Sequence, residues 1–136
     1  MPLSPRVLLL VVGASVASTA AHYTDNALFI EDYPQPDWLS TETIFITWGL
    51  LTLLGIAGYL FYRAGQTTTA GLYLLLYSNT GVSSLGHYFY GFDDFSLKMN
   101  VLIWTDGMTG LAVAAFAVWI LAKRPSPSDQ ADASAA

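Results

Sequence analysis

The residues of this chain whose types could do chemistry are two histidines and a few carboxylates set among long apolar runs. They are His22, His87, Asp106, Asp25 and Glu42, with Ser78, Asn79, Thr80, Ser83 and Ser84 leading up to His87. Imidazole and carboxylate donors without sulfur suit a divalent metal such as zinc, iron, manganese or copper, so all five are candidate metal ligands. The same groups serve acid–base chemistry, for which His87 and Asp106 are the candidates, since a nearby carboxylate holds an imidazole in one tautomer. Tyr77, Asn79 and the serines could then orient a hydroxyl or carbonyl of an apolar substrate. A third class is non-catalytic: a subunit whose polar stripe binds a partner helix, or a bis-histidine haem carrier, the weakest of these because both histidines fall near a membrane surface.

Local spacing supports two groupings. His22 and Asp25 stand three apart, so one helix would carry both on one side. On a continuous helix from Leu76 to Tyr90, Ser83 and Thr80 lie one and two turns behind His87, with Ser84 beside them. Such a stripe is costly in lipid and is expected to face protein or a wet cavity. Asp106 is the sharpest single signal. A carboxylate inside a hydrophobic span costs kilocalories unless paired or hydrated. The plain structural alternative is that it bonds to a tyrosine, a Ser/Thr hydroxyl or Lys98.

The elements that must position these residues follow from composition. Of 136 residues, 54% are hydrophobic and only 11% charged, where a soluble domain carries about a quarter charged. The charges collect at segment ends, the pattern of a polytopic membrane protein. The expected fold is therefore all-α: a four-helix transmembrane bundle forming one membrane domain over residues 1–122. Its spans lie at about 7–24, 43–62, 69–90 and 99–122, and residues 123–136 are a disordered cytoplasmic tail.

The first span has two readings. As a cleaved signal peptide it ends near Ala20 or Ala21, leaving three spans and a free amine at His22 that could chelate copper. As a retained helix it continues past His22, and this is the preferred reading. Trp48, Thr52, Gly55, Tyr59 and Tyr62 fall on one face of the second span, read as its packing side. Thr109 and Gly110 share the face of Asp106, implying a tight helix contact there. Thr24 to Ser40, with Pro34 and Pro36, is read as an interfacial loop.

Arg6, Arg63, Lys123 and Arg124 fall on one side and Lys98 on the other. Positive residues stay in the cytoplasm, so both termini are expected inside a plasma or inner membrane and the acidic loops outside. Counted outward from these anchors, His22, Glu42, His87 and Asp106 reach one layer. A polar pocket in the outer leaflet that binds a metal ion or small ligand is the leading functional reading. A membrane enzyme and a non-catalytic subunit are its alternatives. The expected partners are the lipid bilayer and a membrane protein or second copy. No basic patch serves nucleic acid, and the absence of cysteine excludes disulfides and thiolate metal sites. The segments AHYTDN, YPQPDW and SLGHYFYG read as motifs. In residue types alone the chain resembles small multi-span membrane isomerases, and no residue is carried over on that likeness.

Overall fold

A computed structural model describes residues 4–123, so Arg124 and the tail expected to be disordered lie outside the described residues. Ser4 caps the first helix, accepting from the Arg6 amide, and Pro5 opens it at a position where its missing N–H costs nothing. This helix, α1, runs Pro5–Leu28 without a break at Ala20 or Ala21. A short 3-10 turn at Ile30–Asp32 and an extended stretch lead to α2, Thr41–Arg63. Ser40 and Thr43 start α2 reciprocally: the Ser40 hydroxyl accepts from the Thr43 amide and the Thr43 hydroxyl from the Ser40 amide. The turn after Arg63 relies on Gly65, whose φ of +78° a side chain would resist. Helix α3 covers Thr67–Val82, and Ser96 caps α4, Leu97–Ala122, by accepting from the Met99 amide.

The observed architecture is four helices, with no strand among the described residues. Of these, α1, α2 and α4 are long and apolar enough to cross a membrane by length and composition. Each helix packs on its neighbour in sequence, and α4 closes the ring by packing on α1. Leu8, Tyr62 and Ile120 meet in one apolar cluster, so the ends marked by Arg6, Arg63 and Lys123 lie together.

The expected third helix to Tyr90 is the main departure. The α geometry stops at Val82 and residues Ser83–Phe89 continue as a 3-10 segment. Three residues per turn replace 3.6, so residues three apart line up. Ser84, not Ser83, therefore sits in register with His87, and Ser83 is exposed. Asn79, also counted in the polar stripe, is exposed as well.

Helix contact is closest where glycine removes the side chain. Thr52, Gly55 and Gly58 are buried on the expected face of α2, with the Tyr77 ring against Gly55 and Leu74 against Gly58. The tight contact expected near Asp106 is present: a Cβ on Gly110 would stand 2.8 Å from the Val82 nitrogen and 2.9 Å from the Ser78 carbonyl oxygen. Two apolar clusters fill the interior. Leu8, Val12, Leu74, Tyr77, Val113, Ala117 and Ile120 form the larger one, and Tyr33, Phe95, Met99 and Ile103 the one at the opposite end. Buried polar groups separate the clusters, among them the Tyr77 hydroxyl donating to Ser15 and the Trp48 indole donating to Thr19. Meanwhile Leu10, Ile46, Leu50, Leu53 and Met108 point outward, each more than half exposed.

A methyl group at Gly110 would collide with backbone, which cannot move aside. Gly110→Ala is therefore expected to destabilise the protein by about 1–3 kcal/mol. Gly49, with nothing within 4 Å of its missing Cβ, is the control, and Gly49→Ala should be neutral or stabilising by up to about 1 kcal/mol. Unfolding midpoints of the two variants in detergent measure the contrast.

Candidate functional site

Asp106 lies on the inner face of α4 with no solvent exposure, and its carboxylate collects three donors. Ser18 of α1 donates to Oδ1 at 2.5 Å, Ser84 of the 3-10 segment donates to Oδ2 at 3.1 Å, and His22 Nδ1 lies 2.8 Å from Oδ2. Three elements thus meet on one carboxylate. The donors explain how this carboxylate is accommodated at complete burial, since each lone pair used offsets part of the lost hydration.

A carboxylate only accepts here, so the proton on His22 sits on Nδ1 and Nε2 carries a lone pair. His22 is 2% exposed, and its Nε2 is buried with no hydrogen-bond partner. His87 follows the same logic. Its Nδ1 is 3.0 Å from the Ser84 carbonyl oxygen, which can only accept, so His87 Nε2 also keeps its lone pair. The two rings are in contact, with centroids 5.1 Å apart and planes tilted by 56°. Ser84 joins the pair, its hydroxyl serving Asp106 and its carbonyl serving His87.

The other two expected ligands are placed differently. Asp25 is buried on the same side of α1 as His22, yet its carboxylate is engaged elsewhere: Lys98 Nζ is 2.5 Å from Oδ1, and the Tyr33 hydroxyl donates to Oδ2 at 2.9 Å. Burial raises the Tyr33 phenol above its ordinary range, and the bond to Asp25 works in the same direction, so Tyr33 stays a donor at neutral pH. Lys98 also sits 4.0 Å above the Phe29 ring. Asp25 therefore ties the loop after α1 to the start of α4. Glu42 is exposed at the first turn of α2, where the Ser40 hydroxyl donates to it. Among the described residues no three His, Asp or Glu side chains are arranged to hold a metal ion. The rings of His22 and His87, in contact as they stand, leave no room for a porphyrin between them. Lys98 pairs with Asp25, so the suggested Lys98–Asp106 bond is replaced by the serine bonds.

A cavity of about 470 Å³ opens beside the histidines. His22, Asn26, Gln35, Ser83, Ser84 and His87 supply polar lining, and Pro34, Pro36, Trp38, Leu39, Ile44 and Phe89 apolar lining. The 33–40 stretch, read from the sequence as a plain interfacial loop, is a wall of this cavity. It is braced by Gln35, whose amide N–H donates to the Ile30 carbonyl, and by Thr41, whose hydroxyl donates to the Ala27 carbonyl. Ser18, Asn26 and Gln35 were not singled out from the sequence. Ser18 had one usable signal, a spacing of four from His22 that puts both on one helix face. Tyr77 and Asn79, considered as substrate-orienting groups, do not line the cavity.

No protein-family model, no curated protein and no solved structure matches this chain.

Removing the carboxylate leaves Ser18, His22 and Ser84 without their shared acceptor in the interior. Asp106→Ala is expected to cost about 3–5 kcal/mol of stability. Combined with His22→Ala, the loss should fall short of the sum of the single variants by more than about 1 kcal/mol, because the two groups act as one unit. Denaturant unfolding of the two single variants and the double variant tests this.

Proposed function

We propose that the chain is an integral membrane protein, a four-helix transmembrane bundle formed by a single membrane domain over residues 1–122, whose end cavity binds a small ligand through His22. The outward Leu10, Ile46, Leu50, Leu53 and Met108 support the membrane setting, since helices apolar on their outer faces are at home in lipid. The helical run 67–89 has about 38 Å of contour, enough for a hydrocarbon core of ~30 Å. Arg6, Arg63 and Lys123 at one end support a cytoplasmic position for that end and an outer position for the cavity. Retention of α1 is favoured by what cleavage would remove: the Ser18 bond to Asp106, the Ser15 bond to Tyr77 and the Thr19 bond to Trp48.

The observation that carries the ligand reading is the buried, unpartnered Nε2 of His22 on a residue lining the cavity. A buried polar atom without a partner costs on the order of 1–3 kcal/mol, and a donor on a ligand would relieve that cost. Asp106 sets the ring's orientation by accepting the Nδ1 proton. Nε2 is therefore equipped as the proton acceptor that a membrane acid–base enzyme would need.

A second reading is favoured by one specific feature. Both histidines give their Nδ1–H to an oxygen acceptor, the arrangement that orients metal-ligating imidazoles. Two Nε2 ligands on one tetrahedral ion would hold their ring centroids about 5 Å apart, as these are. The bound ion would be zinc or copper, with the remaining positions filled by water or ligand.

Extraction and mass spectrometry of the purified protein separates these readings. Wild type is expected to retain a small molecule that His22→Ala loses by tenfold or more with helix content unchanged, consistent with a lost hydrogen bond of about 1.5 kcal/mol or more. Equal retention by both would refute the ligand reading. Near-stoichiometric zinc or copper in wild type, lost in both His22→Ala and His87→Ala, would favour the metal.

A further inference from the structure

Three buried polar atoms on cavity-lining residues have no hydrogen-bond partner: His22 Nε2, Asn26 Oδ1 and Gln35 Oε1. Native interiors carry few such atoms, and each calls for an explanation. Here they line one cavity and share a chemical character. His22 Nε2 is an acceptor because Asp106 takes the proton-bearing nitrogen. Gln35 Oε1 is an acceptor because the Gln35 amide N–H donates to the Ile30 carbonyl, which fixes which way the amide points. Asn26 stands four residues after His22, one helical turn along the same face of α1. Of the other two such atoms among the described residues, on Thr52 and Thr80, neither belongs to a residue lining the cavity.

The walls restrict the ligand further. The lining includes no Lys, Arg, Asp or Glu. An anionic head would find no cation and would face several lone pairs, so carboxylates and phosphates are disfavoured. Beyond the polar side, the lining passes to Pro34, Pro36, Leu39 and Ile44, and then to Trp38 and Phe89, which are 75% and 94% exposed. At the start of α2, Phe45 and Ile46 also face outward. In the membrane setting proposed above, this mouth meets the apolar phase and not bulk water.

Resting on the reading that His22 anchors a ligand, we propose that the ligand is an uncharged, lipid-soluble amphiphile whose hydroxyl head donates to His22 Nε2 while its apolar body lies along Trp38 and Phe89. The one O–H supplies the donor that His22 Nε2 lacks, and the apolar body suits the Pro34, Pro36, Leu39 and Ile44 lining. Sites built to hydrogen-bond a hydroxyl discriminate strongly against an analogue without it, because the buried acceptors are then left bare.

The test uses the full chain in lipid nanodiscs, with tryptophan emission as the readout. Trp38→Phe identifies the cavity signal. Farnesol, its methyl ether, farnesoic acid and propan-1-ol are the probes. Farnesol is expected to bind at least tenfold more tightly than the ether or the acid. His22→Ala should bring the alcohol-to-ether ratio close to one with helix content unchanged. Ether or acid binding to wild type as tightly as farnesol would overturn the proposal, as would a ratio unchanged by His22→Ala. Binding of propan-1-ol alone, dependent on His22, would overturn the lipid-soluble class and leave the ligand site standing. No binding of any probe, with no His22-dependent molecule co-purifying, would overturn both.

Discussion

A carboxylate buried completely among helices must find donors or be hydrated, and the interior of this protein is arranged around that requirement at Asp106. Its donors come from α1 and from the 3-10 segment after α3, so one charge-assisted cluster fastens three parts of the chain. The cluster sits between two apolar clusters that carry no direction of their own. Hydrophobic contact holds the helices together. The Asp106 bonds hold the rotation and depth of α1 and the 3-10 segment against α4, because a hydrogen bond is lost when a helix turns by one residue and an apolar contact is merely exchanged.

Two backbone features make that cluster reachable. Gly110 lets α4 approach the end of α3 until backbone touches backbone, which brings Ser84 within reach of Asp106. The change to 3-10 geometry after Val82 then places Ser84 and His87 in line, so one residue serves both site groups. On a continued α-helix Ser83 would have stood behind His87, one turn back. The lone pairs left over, on His22 and His87, are a consequence of where the protons are held.

The carboxylates of α1 and α4 divide the work. Asp25 braces the loop through Lys98 and Tyr33, and that loop walls the cavity. Asp106 positions the imidazole that meets the cavity. Lys98 is half exposed, so solvent screens its pair with Asp25, which matters more for the path of the loop than for stability.

Much was legible in the chain before any coordinates. The long uncharged runs and the glycine-bearing faces of α2 and α4 are local properties, set by hydrophobicity and side-chain size within a few residues. They correctly indicated helices, their packing faces and the tight contact at Gly110. The approach of His22, His87 and Asp106 was also inferable, because rise per residue converts sequence distance from a segment end into depth. Depth is one coordinate only. Which oxygen of Asp106 meets which donor, Asp25 turning to Lys98, Glu42 remaining outside, and Asn26 and Gln35 lining a cavity all depend on rotation about helix axes and on a loop path. Those are decided by contacts between residues far apart in the chain, as between Ser18 and Asp106. The sequence by itself determined which groups arrive at one level. The tertiary structure alone decided which of them touch, because hydrogen bonds are directional and hydrophobic patterning is not.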